Sequence, residues 1–523
     1  YSMPSVAVVD GVRLLVVGCA DGNIYGLKSR TGEKVWTFRL SKRGLNASVV
    51  VHNGLAYACH SEESQFNTDP KQPVMGRVVC FRVSGSGDIT KANEVWREDG
   101  LTAGYSSPAA DDKYLYVGAN SANIHCFDLK TGKEAWVHNV GTVLKASPVV
   151  GDGKLYVGEV SGHFSILQLG DKKASTLSRE KFALEDGRPM EINGSACIAR
   201  GKVYFCTSKH IYCIGKAGAG AGAAPFPWPV SELAAKDGAK ASHLQILPAE
   251  TVLRPGESRS FKAMLFDSSG RLIGECKPDW STARLDAKVD AEGKLTAAKG
   301  RSFQGGMLAA SYAGLKGAAR VRVVPRLPLK IDFENSSLGP APGGWISASP
   351  VKFKVVDLDG NKALKKLSDK PKFILARMYF GVPLQQGYTM QVDMMGTEEK
   401  FQLPDMGFFV SRYRFDLLGN SGRVRIVSWS PMPRIEKKIR FKWDPKVWYT
   451  AKMTVARSER KATIRAKVWK RGTEEPAGWT LEVEDSTPNQ AGAPGLYAYS
   501  AGSTDKKIGG EIFYDNIIVT ANK

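Results

Sequence analysis

Asp21-Gly-Asn-Ile-Tyr-Gly-Leu-Lys-Ser-Arg-Thr31-Gly32-Glu-Lys-Val-Trp36 returns one hundred positions later as Ser121-Ala-Asn-Ile-His-Cys-Phe-Asp-Leu-Lys-Thr131-Gly132-Lys-Glu-Ala-Trp136. A unit that repeats itself cannot bury its apolar face alone, so it must stack on copies of itself. Each copy has an alternating strand (Leu14 to Val17, Tyr114 to Val117), a polar turn, a second strand (Asn23 to Leu27, Asn123 to Leu129), a Thr-Gly turn and a strand ending in Trp. Alternation argues strands, and Thr-Gly between two such runs argues a tight hairpin that needs a positive φ.

Weaker copies run from Ala47 through Tyr57 and Val78 to Trp96, and from Ser147 through Tyr156 and Val157 to Leu169. A last partial copy covers Gly194 to Ile214. The spacing of about 40 to 50 residues is that of a four-stranded β-propeller blade. Trp36, Trp96 and Trp136 take equivalent blade positions and read as inter-blade packing.

At these residues the chain resembles the pyrroloquinoline-quinone-repeat propellers, which include quinoprotein dehydrogenases and the outer-membrane lipoprotein of the β-barrel assembly machinery. The resemblance covers residues 5 to 215. It implies fold more than function, because one superfold hosts enzymes and scaffolds alike. The quinoprotein enzymes hold their cofactor with adjacent cysteines, acidic calcium ligands and a catalytic Asp; no two cysteines are adjacent here, so the quinone is not expected. About four and a half units are visible, whereas such propellers close with seven or eight blades. The chain opens at Tyr1, without Met or signal peptide and already in strand-like sequence. The expectation is that N-terminal blades are missing, with a partner chain or a tighter ring as the alternative.

The chain has 523 residues, 43% hydrophobic, enough for several cores. No apolar run of about 18 residues could form a transmembrane helix. The composition then divides the chain into 1–215, the propeller blades; 216–242, a Gly/Ala-rich stretch followed by Pro225, Pro227 and Pro229 that reads as a linker; 243–325; and 326–523. Residues 243–325 carry short alternating strands around Phe261, Trp280 and Gly293-Lys-Leu-Thr-Ala297 and resemble a bacterial immunoglobulin-like sandwich, in which Trp280 is core. Residues 326–523 open on Ile331-Asp-Phe-Glu334 and close on Ile512 to Thr520. They resemble the concanavalin-A-like, laminin-G-like jelly rolls found as glycan-binding or hydrolase-associated modules. The fold class expected is therefore all-β throughout: propeller, sandwich and jelly roll.

Of the net charge of +21, residues 326–523 hold +11. Alternation places Arg412 and Arg414, Arg423 and Arg425, Lys438, Arg440 and Lys442, and Arg465 and Lys467 opposite apolar neighbours. If these strands share a sheet, one face is a basic platform with Trp429 and Trp469 at its edge. Arg offers a planar fork to anionic oxygens and Trp a face to a sugar ring, so the partners expected are acidic polysaccharide or an anionic envelope surface. A solvated sheet face has the same alternation. No nucleic-acid motif accompanies the charge. Glu334 and Asp515, near the joined terminal strands, are candidate ligands for a structural calcium, although two carboxylates do not specify such a site.

Catalytic signatures are absent: there is no HExxH, no Walker loop, no GxSxG elbow and no carboxylate pair spaced for glycoside hydrolysis. The seven histidines are dispersed, and His60, beside Glu62, Glu63 and a loop from Ser64 to Gly76, comes nearest to a cluster. Cys19, Cys59, Cys80, Cys126, Cys197, Cys206 and Cys213 read as buried thiols, with Cys206 and Cys213 the one pair to test for a bridge. The reading is a non-enzymatic envelope, periplasmic or secreted protein, its propeller meeting protein partners and its last domain an acidic glycan. The alternatives are a quinone-dependent or carbohydrate-active enzyme and a structural surface-assembly component.

Overall fold

The computed structural model describes residues 2–42, 44–61, 76–216, 232–300, 302–347, 350–368, 374–428, 433–458, 460–500 and 509–522. Among them the only α-helix is the four-residue Thr90–Asn93, with a 3₁₀ turn at Pro350–Lys352; the rest is strand, turn and loop. The chain divides into two compact units, one of Tyr1–His243 with Phe266–Ile273, the other of Leu244–Leu265 with Gly274–Lys523.

In the first unit the repeats become antiparallel sheets. Ser5–Val9, Val12–Gly18, Asn23–Lys28 and Lys34–Arg39 form the first, joined at its edge by the short parallel strand Gly87–Asp88. Val50–His52, Leu55–Ser61, Gly76–Arg82 and Glu94–Asp99 form the second. Two further four-stranded sheets span Ala109–Asn139 and Val149–Lys181, and a three-stranded one spans Cys197–Ile214. Consecutive sheets pack face to face. Trp36 and Phe38 of the first share a core with Ala58, Val79 and Phe81 of the second, and the Phe38 and Phe81 rings stack at 4.0 Å. The same burial joins Tyr57 and Trp96 to Leu115 and Phe127, then Trp136 to Leu155 and Leu167.

The repeated Trp has a second task. Trp96 Nε1 donates to Leu129 O at 2.9 Å, and Trp136 Nε1 to Gly170 O at 2.9 Å, each reaching the carbonyl just beyond the third strand of the next sheet. At the first junction Asn93 Nδ2 takes the carbonyls of Arg82 and Ser84 instead, and Trp36 Nε1 is buried without an acceptor. The Thr-Gly turns have the positive φ their sequence calls for, +72° at Gly32 and +71° at Gly132. Between the third and fourth sheets Glu159, 1% exposed, accepts the backbone N–H groups of Thr142, Val143 and Ser161. Burial works against that charge, but these bonds and the Ser161 and Thr142 hydroxyls win, holding the carboxyl down at about 2.

In the second unit, Glu250–Leu253, Leu315–Val323, Gln304–Tyr312 and Asp279–Ala283 make one small sheet, and Ser258–Ser260, Lys294–Ala297 and Ala287–Val289 another. Trp280 lies only half-buried, against Gly293. From 329 onward two large sheets form a sandwich around one core of Met390, Val392, Phe408, Phe415, Ile426, Ile464, Leu496 and Tyr514. The larger sheet pairs Leu329–Ile331 with Ile512–Ala521, so the segment's first and last strands are joined as expected. The six-stranded sheet runs Leu375–Tyr379, Gly495–Tyr499, Asp405–Val410, Tyr413–Leu418, Arg423–Val427 and Glu436–Arg440.

Candidate functional site

Sorting the six-stranded sheet by its register gives an inner face of Met406, Phe408, Phe415, Val424 and Ile426, all buried in the core. The opposite face carries Tyr379, Phe409, Arg414, Asp416, Arg425 and Tyr497, with Lys438 beyond Arg425. Its centre is an ion-pair network. Asp416 is fully buried, with Arg414 Nε at 2.7 Å from Oδ1 in a contact too bent for a hydrogen bond, and with Arg425 Nη2 donating to Oδ2 at 2.7 Å. Arg425 also donates to Glu436 at 3.0 Å, and the Arg414 guanidinium lies 3.9 Å from the centre of the Tyr497 ring. A buried charge of this kind is tolerated because every partner is charged or hydrogen-bonded.

Asp405, on the neighbouring strand, has no cation of its own. It accepts the Gly419 N–H at 2.9 Å; burial, reinforced by the Asp416 charge, pushes it up to about 6. Its ordinary value is 3.8, so the native state holds this proton more tightly than the unfolded chain does. Below 3.8 both states are protonated and nothing is lost; as pH rises through about 6 the stability conferred by the bound proton disappears. Asp405→Asn keeps an acceptor for Gly419. It is expected to raise the melting temperature of this unit at pH 8 and leave it unchanged at pH 3. Calorimetry at both pH values checks this, and an equal shift at both would refute it.

The predicted basic residues do not form one platform. Arg414, Arg423, Arg425, Lys438 and Arg440 lie on the six-stranded sheet, whereas Arg465, Lys467 and Trp469 lie on Ala462–Lys470 of the larger one. Alternation sorts residues only within their own strand, and which strands become neighbours is decided by pairing across the chain. Carboxylates also neutralise many of the cations: Lys438 meets Glu436 at 3.4 Å, Arg465 meets Glu482 at 2.7 Å, and Lys467 meets Glu475 at 2.7 Å with its ammonium over Trp479. Trp469 is half-buried with Lys452 over its ring, and Trp429 lies outside the described residues. Among the described residues, Arg412, Arg423, Arg440 and Lys442 have no carboxylate at ion-pair distance. The last three line one cavity together with Phe401, which is 92% exposed.

Nor are Glu334 and Asp515 gathered into an oxygen cage. Glu334 is exposed and accepts the Lys362 N–H at 2.9 Å. Asp515, 1% exposed, shares Arg471 with the buried Asp393 at 3.5 and 3.4 Å. A calcium ion at Asp515 would have to displace that guanidinium. No group of three or more His, Cys, Asp or Glu suited to a metal occurs among the described residues. Glu62, Glu63 and the loop from Ser64 onward lie outside those residues.

Cys206 and Cys213 are both free and exposed, and the pairing sets them opposite Ile211 and Tyr204, not each other. Burial pushes Cys59 and Cys126 up to about 12 and Cys80 to about 11, which suppresses their thiolates.

Sheets that repeat, stack face to face and are tied to their neighbours by a Trp hydrogen bond make a β-propeller-like fold. Residues 20–253 match the family described as outer membrane protein assembly factor BamB. Among solved structures, BamB from Moraxella catarrhalis is similar at 15% identity, covering 56% of this chain and 85% of its own, with a TM-score of 0.31. The mitotic checkpoint complex gives 11% identity, 38% and 59% coverage and a TM-score of 0.30. No curated protein matches this chain. Among the described residues no helix is long and apolar enough to cross a membrane.

Proposed function

We propose that this is a non-enzymatic scaffold of the bacterial cell envelope. Its propeller meets protein partners, and its C-terminal sandwich, read as a jelly-roll module, binds an acidic glycan. The family match over residues 20–253, described as an outer-membrane assembly factor, supports the scaffold and the envelope location. The observation that carries the glycan reading is the group of Arg423, Arg440 and Lys442, which have no carboxylate at ion-pair distance among the described residues, beside the exposed ring of Phe401 in a cavity that Glu398 also lines. Anionic oxygens would meet the cations while the ring covers a sugar face. The reading invokes no quinone and no metal.

The full chain is expected to bind carboxylated or sulfated polysaccharides at low salt, to release them at high salt, and to ignore neutral dextran. The Arg423→Ala/Arg440→Ala/Lys442→Ala variant should lose this binding with an unchanged melting profile. Binding unaffected by salt and by these substitutions would reject the basic edge as the seat of recognition.

A further inference from the structure

A second cavity, of about 660 Å³, lies where the strand Leu315–Val323 meets the sandwich, and Arg322, Arg412, Arg434, Tyr379, Phe409 and Ile346 line it. That volume falls in the ~300–1,000 Å³ range of small-ligand sites. Its charge is unbalanced. Arg322 is 4% exposed, yet its partners are only the backbone carbonyls of Gly344 and Gly381, with Nε at 2.6 Å from the first and Nη2 at 3.3 Å from the second. Burial lowers its pKa against the opposing charge of Glu250, which itself pairs with Arg320. Arg412, which is exposed, has no carboxylate at ion-pair distance among the described residues, and Arg434, also exposed, pairs with Asp485 at 2.7 Å. A buried charge is ordinarily paired with an opposite one, and Arg322 has only carbonyl dipoles in that place.

The wall is also held rigidly. Arg412 and Ser411 make a two-residue hairpin turn with φ of +66° and +49°, a conformation that glycine or asparagine adopts far more readily than these residues. Two buried tyrosines clamp it. The Ser411 N–H donates to Tyr388 Oη at 2.9 Å, and Tyr388 donates to Gly492 O at 2.8 Å. Tyr413 donates to Asp485 at 2.7 Å, the same carboxylate that holds Arg434. In the same lining the Tyr379 and Phe409 rings lie 5.4 Å apart, and the Tyr379 hydroxyl is buried without a hydrogen-bond partner. Guanidinium groups, aromatic surface and an unsatisfied hydroxyl in one lining suit a ring that has an apolar face, hydroxyl groups and a planar anion.

The geometry points to this cavity as the seat of a carboxylated or sulfated sugar ring from the acidic glycan. The inference rests on the glycan reading above and adds to its basic edge a specific contact inside the cavity. Arg322 and Arg412 take the anion, and Tyr379 and Phe409 cover the ring.

Titration calorimetry of the full chain with an oligogalacturonide, a sulfated dextran oligosaccharide and a neutral dextran oligosaccharide tests it. Asn tolerates left-handed backbone, so Arg412→Asn preserves the turn. It should weaken anionic binding by about tenfold or more without changing the melting temperature. Arg322→Met, checked for an intact melting transition, should do the same, while Lys461→Ala, at the exposed pair with Glu484, should leave the oligosaccharide affinity nearly unchanged. The charged oligosaccharide that binds more tightly identifies the anion. Undiminished affinity in Arg412→Asn together with loss in Arg423→Ala/Arg440→Ala would overturn the cavity and keep the glycan reading. Equal binding of neutral dextran, or no binding of either anionic probe, would overturn both.

Discussion

Asp416→Asn is expected to destabilise the second unit by about 3 kcal/mol or more, the cost of leaving buried cations without their counter-charge. Two guanidinium groups converge on this fully buried carboxylate, and a neutral amide cannot satisfy both. Arg425 retains Glu436, which keeps the loss toward the lower end; Arg414, 9% exposed, retains only the face of Tyr497. Surface pairs of the same sandwich give the contrast. Lys461 and Glu484 are 56% and 57% exposed at 2.7 Å, and Glu484→Gln should cost at most about 1 kcal/mol. Calorimetric unfolding of the two variants beside the parent separates these expectations. If Asp416→Asn falls within the Glu484→Gln range, water or another group compensates the arginines and the network is not what holds this face.

Gly132→Val should strongly destabilise the propeller, while Gly32→Val, at the equivalent position of the first repeat, should be far milder. Both glycines sit near φ +70°, so each valine incurs the left-handed penalty of about 1–2 kcal/mol. A Cβ at 132, however, would come within 2.5 Å of the Trp96 ring of the preceding sheet, whereas at 32 it meets nothing within 4 Å. Overpacking adds about 1–3 kcal/mol at the first site only. Trp96 must then shift and release Leu129 O, to which it donates at 2.9 Å. Equal destabilisation by the two valines, measured by denaturant unfolding, would show that the Trp96 contact contributes little beyond the backbone term.

Much of the propeller was legible because its information is local. Alternating residues and a Thr-Gly turn ending in Trp specify a hairpin within a single repeat, and repetition then requires stacking. The terminal strands of the sandwich were legible for a similar reason, as apolar runs of strand length at its two ends. The charged residues were not. Arg423 and Arg465 have the same alternating context in the sequence, yet one joins the six-stranded sheet beside Arg440 and the other pairs with Glu482 on the larger sheet. Arg322 was missed altogether, though an arginine inside the apolar run Val321 to Val324 was a signal that could have been followed. Asp416, between Phe415 and Leu417, was another.

By itself, then, the sequence determined the all-β class, the repeating sheets with their tryptophan contacts, and the excess of positive charge toward the C-terminus. Only the tertiary structure decided which cations keep their charge unopposed and where an anion could be held. Alternation states which side of its own strand a residue occupies, but the carboxylate that neutralises a cation, or fails to, arrives from a strand distant in sequence. Coulombic and desolvation energies depend on that arrival and on the burial that accompanies it.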